Sequence, residues 1–597
     1  MKKFIIIALA LIAVAVGVYI FKNKSDEQSP LVAISDALSG SSKSSVLEYV
    51  PADTVLFVGS LEPMSYDEAM EISRNMGFDF SSLMALVDQD DMKLDSDAPD
   101  AAKLGVGLYM AYIDAIAKDS LKTIGINEKL DLAFYTHGAL PVYRMALDGT
   151  STMADIIASI EKENNITPTV GNIDGVEYRE YSFDKIHVNG EKKEVPFSLV
   201  VSTANNQAVI TFNTMLDDSK DLALALGATK PAQSILESDT LNDLVSKNGY
   251  LGHSLFFMDN LGAVKGLTKP SSNSFGQMLQ DLTAAYGKAD ALAELQTPAC
   301  HTEYTALAAN WPTLSAGYTE LGAKSAKYKM LLEGTNTELL DTLQKLQGHL
   351  SPALDNSDYL FSFGMGMNMA EMTGVVTDVW KRLTKEPFNC EPLAEMQAQL
   401  KQTNPMQLSL MTGMLGGIRG LGFAVTDMDF EGLQQAQNNP MAVADSLSMF
   451  VTVTADNPMS LLQLAGMQMP SLASFELEDG GESKNLPLPL PVEVKGTLRG
   501  HDLVISFGDT ANTMASKLKS NDSMEANGLM SFNMDMGAYF GMIDKFAQMD
   551  ENKDKLNELT EDQKKLFEMF KNVKGKVSEK VNFTNQGFAV DVEMTVE

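Results

Sequence analysis

The chain is short of basic side chains. Its 597 residues include 46 lysines and arginines against 79 aspartates and glutamates, and its formal net charge is −33. A protein this acidic repels phosphate backbones and anionic headgroups. The composition therefore argues against nucleic acid as a partner.

Histidine is scarce too, and the motifs that usually carry chemistry are missing. The six histidines form neither a His-Glu-x-x-His helix nor a paired-ligand spacing. The absence of a Gly-x-Ser-x-Gly motif argues against an α/β-hydrolase nucleophile. The sequence thus predicts no catalytic residue, no cofactor and no metal site. The histidines, which we interpret as surface, turn or core residues, are His137, His187, His253, His301, His349 and His501.

The N-terminus contains one long uncharged run. Phe4 to Phe21 are eighteen residues without a charge, and a helix of about 27 Å from this run approaches the ~30 Å of a bilayer core. We predict a cytoplasmic stub at 1–3 and a transmembrane signal-anchor at 4–21 in the bacterial inner membrane, with the bulk of the chain in the periplasm. The alternative is a signal peptide cleaved at Ala13-Val14-Ala15 or Ala15-Val16-Gly17. Because no cysteine follows the run, a lipoprotein anchor is excluded.

Only two cysteines occur, Cys300 and Cys390. An exported protein meets an oxidising compartment, so we expect a disulfide between them. The alternative is a pair of buried free thiols.

The rest of the chain repeats itself. A polar linker is predicted over 22–50, and an apolar strand follows Pro51-Ala52-Asp53-Thr54. The motif Tyr143–Thr150 returns as Tyr328–Thr335, and weaker copies are Val451–Asn457 and Val592–Glu597. These copies predict four strand-helix-hairpin-helix repeats, and three of the hairpins are marked by an aromatic-Thr pair and a Gly turn.

A second level of repetition pairs these units. A strand-rich insert at about 165–215 comes back at about 476–510. We therefore predict a tandem duplication of two halves, 51–350 and 351–597. The expected fold class is α+β, with mostly antiparallel sheets and helices on one face.

Two side-chain clusters are candidate metal sites. The acidic run Asp88–Asp97 has the hard oxygen ligands that calcium needs, but it lacks the Gly and Glu of the usual loop, so we interpret it as a solvated loop. Methionine thioethers suit Cu(I), but a period of two would also place the first three on one face of a strand as core packing. These methionines are Met365, Met367, Met369 and Met372, with Met530, Met534 and Met536 later in the chain.

Pro51-Ala52-Asp53-Thr54, the apolar segment before it, and Cys300-His301-Thr302-Glu303-Tyr304 carry a family resemblance. The chain resembles a family of uncharacterised, membrane-anchored bacterial envelope (periplasmic) proteins. This resemblance implies export without an assigned activity, and it transfers no catalytic residue.

These features favour a non-enzymatic envelope protein over an enzyme. We expect it to bind an envelope protein or an apolar envelope molecule such as a lipid. The alternatives are a hydrolase with an unrecognised site and methionine-based Cu(I) handling. The sequence specifies no oligomeric state.

Overall fold

The structure, a computed structural model, describes residues 44–75, 94, 98–118, 120–183, 187–188, 191–192, 197–214, 216, 219–322, 324–355, 359–429, 432, 446–490, 492–548 and 575–596. The predicted segments 1–3 and 4–21 lie outside these residues, as do most of the linker 22–50 and, apart from Leu94, the run Asp88–Asp97. Among the described helices, none has the length and apolar character needed to cross a membrane.

The chain divides into two compact units. The N-unit comprises Met1–Glu333 and Asn389–Leu393, and the C-unit comprises Gly334–Phe388 and Ala394–Glu597. The division after Glu333 falls before residue 351, where the second half is predicted to begin. The short segment Asn389–Leu393 belongs to the N-unit although the chain on both sides of it belongs to the C-unit.

Ten strands of the N-unit pair antiparallel in the order β12-β11-β10-β1-β2-β3-β9-β8-β5-β4, and β6 pairs with β7 separately. The strands are β1 Leu56–Gly59, β2 Leu132–His137, β3 Leu140–Ala146, β4 Thr169–Ile173, β5 Val176–Ser182, β6 His187–Val188, β7 Glu191–Lys192, β8 Phe197–Ser202, β9 Gln207–Thr214, β10 Leu255–Asp259, β11 Thr313–Leu321 and β12 Ser325–Glu333. The helices are α1 Tyr66–Asn75, α2 Asp100–Ala117, α3 Thr152–Glu163, α4 Ser219–Leu226, α5 Thr240–Asn248, α6 Asn260–Thr268, α7 Ser274–Ala285 and α8 Pro298–Ala308.

Nine strands of the C-unit pair antiparallel in the order β21-β20-β19-β13-β14-β15-β18-β17-β16. The strands are β13 Phe361–Gly366, β14 Ile418–Met428, β15 Leu447–Ala455, β16 Lys484–Asn485, β17 Val494–Arg499, β18 Asp502–Phe507, β19 Met530–Asp535, β20 Gly575–Thr584 and β21 Gly587–Val596. The helices that begin from residue 334 onward are α9 Thr337–Gln344, α10 Met369–Thr384, α11 Glu391–Gln402, α12 Leu408–Leu415, α13 Pro458–Gln468, α14 Asp509–Lys517 and α15 Met536–Gln548.

The repeated motif marks the second strand of a hairpin. Its four copies lie on or run from β3, β12, β15 and β21, which pair with β2, β11, β14 and β20. The aromatic-Thr pair and Gly turn in the sequence predicted three of these hairpins. The fourth hairpin is formed by β14 and β15. At the turn between β2 and β3, Gly138 has a φ of +55°, a backbone conformation that favours glycine. The predicted α+β class with antiparallel sheets is confirmed.

The prediction that helices cover only one face of each sheet is wrong. In the N-unit, Leu199 and Val201 pack in the cluster that contains residues of α2 and α3, whereas Val200 packs in the cluster that contains residues of α4 and α5. In the C-unit, Leu503 packs with α13 and Val504 with α14. The physical reason is that these strands carry consecutive apolar residues, which bury both faces of a sheet.

Candidate functional site

An apolar cavity of about 300 Å³ lies within the N-unit, between helices α2 and α3 and one face of the sheet. None of the described residues that line it has a charged side chain, and the tyrosines are the lining residues with a polar side-chain group. Its volume falls at the lower end of the range for small-molecule pockets. The lining residues are Leu108, Tyr109, Tyr112, Ile124, Ile126, Phe134, Pro141, Tyr143, Met145, Met153, Ile157, Leu199, Val201, Ala208, Ile210 and Phe212.

The sheet side of the cavity follows from strand periodicity. Alternate residues of a strand point to the same face, and the register places Tyr143 of β3 opposite both Phe134 of β2 and Ile210 of β9. Ile210 in turn pairs with Val201 of β8. These four residues therefore form one cross-strand row that lines the cavity.

On the helix side of the cavity, α2 and α3 pack closely against each other at Gly107 and Ile160. A Cβ atom added at Gly107 would lie 2.4 Å from Cγ2 of Ile160, so only glycine fits at this contact without displacement. On α3, Met153, Ile157 and Ile160 are buried at helical spacing. Met153 and Ile157 also line the cavity.

Three of the lining residues are tyrosines, Tyr109, Tyr112 and Tyr143. Burial raises the pKa of Tyr143 to about 12, and its hydroxyl donates to Sδ of Met145 at 3.6 Å. Burial also raises the pKa of Tyr109. The pKa of Tyr112 is held well above 10, first by burial and then by the neighbouring hydroxyls of Tyr143, Tyr66 and Tyr109. All three cavity tyrosines are therefore neutral at physiological pH.

The apolar row continues beyond the cavity on the same face of the sheet. Phe134 pairs with Val58 of β1, Val58 with Phe256 of β10, and Phe256 with Ala316 of β11. Ala316 pairs with Met330 of β12, whose side chain is 36% exposed. The row thus runs from the cavity to Met330, which contacts solvent.

The cysteine pair lies within the N-unit. The sulfurs of Cys300 and Cys390 are 2.10 Å apart, at disulfide distance, as the sequence predicts. The carboxylate of Glu303 accepts from the backbone N–H groups of Asn389 and Cys390. These bonds hold the segment Asn389–Leu393 beside α8.

The described histidine contacts are separate from one another. Nε2 of His137 lies 3.0 Å from Oδ1 of Asp221, and Nδ1 of His301 lies 2.8 Å from Oγ1 of Thr268. His253, His349 and His501 each place Nδ1 near a backbone carbonyl, and the side-chain environment of His187 lies outside what the structure describes. No group of three or more His, Cys, Asp or Glu residues suited to a metal occurs among the described residues.

The methionines of the C-unit are arranged differently from the prediction. The strand β13 ends at Gly366 and α10 begins at Met369, so Met365, Met367 and Met369 do not share one strand face. The physical reason is that the chain turns from strand to helix inside the Met-x-Met-x-Met run. Met365 instead lies opposite Met530 of β19, and Met534 lies opposite Phe361.

Sequence reasoning missed the cavity, because most of its lining residues carry no motif. Tyr143 and Met145 belong to the repeated motif, but that motif predicts a strand and not a cavity. The available signal was the length of the apolar helix α2 combined with strands that are apolar on both faces, but both features are also typical of an ordinary core. The described histidine side chains and the methionines of the two candidate copper groups, Met365–Met372 and Met530–Met536, are not among the lining residues.

The chain was compared with protein-family models, with curated proteins and with solved structures, and nothing matches in any of the three. The family resemblance carried by Pro51–Thr54 therefore stays an expectation.

Proposed function

We propose that this is a non-enzymatic binding protein of the bacterial envelope, and that it holds an apolar molecule in the cavity of the N-unit. The observation that carries this proposal is the cavity itself, which has about 300 Å³ of space and an apolar wall. Protein interiors are close-packed and rarely contain voids larger than a water molecule. An apolar cavity of this size, partly open to solvent, is typical of a ligand site.

The apolar wall favours an occupied cavity. The cavity is partly open to solvent, so water contacts this wall when no ligand is bound. An apolar ligand removes the wall from water and gains dispersion contacts with it. Water fills such a site poorly, because it finds few hydrogen-bond partners there.

The location of the protein is part of the proposal. The uncharged run from Phe4 to Phe21 has the length of a membrane anchor, and positive residues precede it. We place the bulk of the chain in the periplasm, within reach of membrane lipids. The family resemblance carried by Pro51–Thr54 supports this placement.

We also infer that the two halves arose by duplication of a pair of repeats. In both units the opening strand, β1 or β13, lies between a hairpin on one side and a second opening strand with its hairpin on the other. Short 3-10 turns precede these strands at Leu47–Tyr49 and Pro352–Leu354, and turns and strands are displaced by the same 305 residues (47 to 352, 56 to 361). One ancestral half would account for both strand orders.

The proposal is tested by filling the cavity. Ala208 is 5% exposed and lines it, so Ala208→Trp places an indole in the ligand's space. We expect native mass spectrometry of the full chain, extracted in mild detergent, to find a copurifying apolar molecule on the wild type and much less on the variant. Val201→Phe provides a second cavity-filling variant with a smaller change.

The matched control is Ala291→Trp, which adds the same side chain at an exposed position outside the cavity. It should retain the bound molecule. Thermal unfolding checks that each variant is folded. Equal ligand occupancy in wild type and folded cavity-filling variants would contradict the proposal.

A further inference from the structure

The cavity of the N-unit has one buried end. There Met145 of β3 pairs with Ala208 of β9, and both side chains are buried. Ile126 pairs with the chain two residues beyond Met145, and the backbone of Met153 lies beside Gly125. Ile126 and Met153 also line the cavity and are buried. Four segments of the chain thus surround this end.

Exposure rises along the strands away from the buried end. Alternate residues of a strand point to the same face. On β3, Tyr143 and Pro141 line the cavity and are half-buried, whereas Met145 is buried. On β9, the half-buried lining residues are Ile210 and Phe212. The cavity therefore opens towards Pro141 and Phe212.

Phe197 marks this open end. It begins β8, is 40% exposed, and its ring lies edge-to-face against the ring of Phe212, with 5.7 Å between centres. The Phe183 ring completes the group, 5.4 Å from Phe197. Further along the same face of β8, Leu199 and Val201 are buried and line the cavity. Exposure thus falls along β8 from solvent into the cavity.

The distance between the two ends indicates an elongated ligand. Pro141 and Met145 are four residues apart on β3, about 13 Å at ~3.3 Å per residue, whereas a compact cavity of the same volume would be about 7 Å across. An apolar cavity of about 150 Å³ binds benzene, which has six carbons, so about twice that volume holds about a dozen carbons.

We propose that the cavity takes the hydrocarbon chain of a single-chain amphiphile, tail first, and that Ala208 and Met145 set the chain length it accepts. The tail enters because it leaves water for an apolar wall. The polar head group stays hydrated near Phe197, since removing it from water is costly. A lipid with one chain of about a dozen carbons fits this description. This inference rests on the proposed function and specifies its ligand class.

The test is native mass spectrometry of the full chain, held in an amphipathic polymer so that no detergent competes. The probes are an equimolar series of alkylphosphocholines with chains of eight to sixteen carbons. In the wild type, bound probe should increase by about fourfold per added carbon, the value of burying one CH₂ group, and stop increasing at about twelve carbons. Dodecyl maltoside should bind within about twofold of dodecylphosphocholine, because both head groups stay in water.

Two variants locate the closed and open ends. Ala208→Leu fills the buried end, so the series should stop increasing at about ten carbons while binding of the octyl probe stays unchanged. Phe212→Ala removes part of the wall near the open end, where every chain passes, and should weaken all probes by the same factor. The matched control is Ala291→Leu at an exposed position, which should leave the whole series unchanged.

The outcomes separate the two proposals. The single-chain inference is overturned if binding still increases up to sixteen carbons, or if Ala208→Leu weakens the octyl and dodecyl probes equally. It is also overturned if didodecanoyl phosphatidylcholine, which has two chains, displaces dodecylphosphocholine. In each case the apolar site stands. If folded Ala208→Trp binds every probe as the wild type does, the site itself and the proposed function are overturned.

Discussion

The guanidinium carbon of Arg144 lies 4.3 Å from the centre of the Tyr49 ring. Arg144 is 1% exposed, and its guanidinium also donates to Gln207, to the Tyr135 hydroxyl at 3.4 Å and to the Ala225 carbonyl at 2.8 Å. These acceptors are all neutral. The cation thus joins the segment before β1 to strands β2, β3 and β9 and to helix α4.

Replacing this guanidinium should destabilise the N-unit. We expect Arg144→Lys to lower the free energy of unfolding by about 2–4 kcal/mol, because an ammonium group cannot stack on Tyr49 and reach three separated acceptors. Urea denaturation followed by circular dichroism measures the change. The control is Lys230→Ala, which removes an exposed cation 5.5 Å from the same ring and should leave the free energy of unfolding nearly unchanged. Equal effects of the two substitutions would contradict this role for Arg144.

The disulfide should stabilise the N-unit mainly by restricting its unfolded chain. Cys300 and Cys390 are separated by 90 residues, and closing a loop of this length is worth up to about 4.6 kcal/mol in the chain-entropy model. We expect Cys300→Ser with Cys390→Ser to lower the urea midpoint. Dithiothreitol should lower the midpoint of the wild type and leave that of the double variant unchanged. A wild type that is insensitive to the reductant would contradict the prediction.

Stability should fall at alkaline pH because of Tyr143. Its pKa is about 12 in the folded protein against about 10 in the unfolded chain, so between these values the folded state retains a proton that the unfolded state has released. Its contribution to stability is complete below pH 10 and is lost as the pH rises towards 12. We expect Tyr143→Phe to make the unfolding free energy fall less steeply over this window. The same slope in wild type and variant would show that Tyr143 titrates normally.

The contact between α2 and α3 should be sensitive to a single methyl group. Gly107→Ala places a Cβ 2.4 Å from Cγ2 of Ile160. Because Ile160 must move to make room, we expect the free energy of unfolding to fall by about 1–3 kcal/mol. Gly374→Ala is the matched control, because it also lies within a helix but has nothing within 4 Å of the added Cβ. It should raise stability by about 0.5–1 kcal/mol through helix propensity. Thermal unfolding should show a lower midpoint for Gly107→Ala and a higher midpoint for Gly374→Ala than for the wild type.

The hairpins were accessible to sequence reasoning, whereas the cavity was not. A strand motif that ends near an acidic residue and occurs four times is recognisable by its repetition. Tyr143 and Tyr328 do lie on second strands of hairpins. The cavity wall, in contrast, is drawn from segments between Leu108 and Phe212. Each segment alone has the pattern of an ordinary core, since a side chain that faces a void and one that faces a neighbour are both apolar. Only the distance between α2 and the sheet distinguishes them, and no local pattern encodes that distance.

In the methionine run, the sequence pattern predicted an arrangement that the structure does not have. A period of two from Met365 to Met369 is compatible with a strand, but the chain enters a helix at Met369. The local pattern was therefore too short to decide between the two elements. The pairing of Met365 with Met530 depends on strand register, which residues far apart in the chain determine together.

The brief return of Asn389–Leu393 to the N-unit has a consequence for how the protein is made. During synthesis from the N-terminus, Glu333 emerges well before Cys390, so the N-unit passes through a stage in which Cys300 has no partner. A chain truncated after Glu333 would lack Cys390, so its Cys300 could not form the disulfide. The N-unit therefore completes its disulfide only after the chain has been synthesised as far as Cys390. For the same reason, cutting the chain at a single point cannot yield the two units as intact separate proteins.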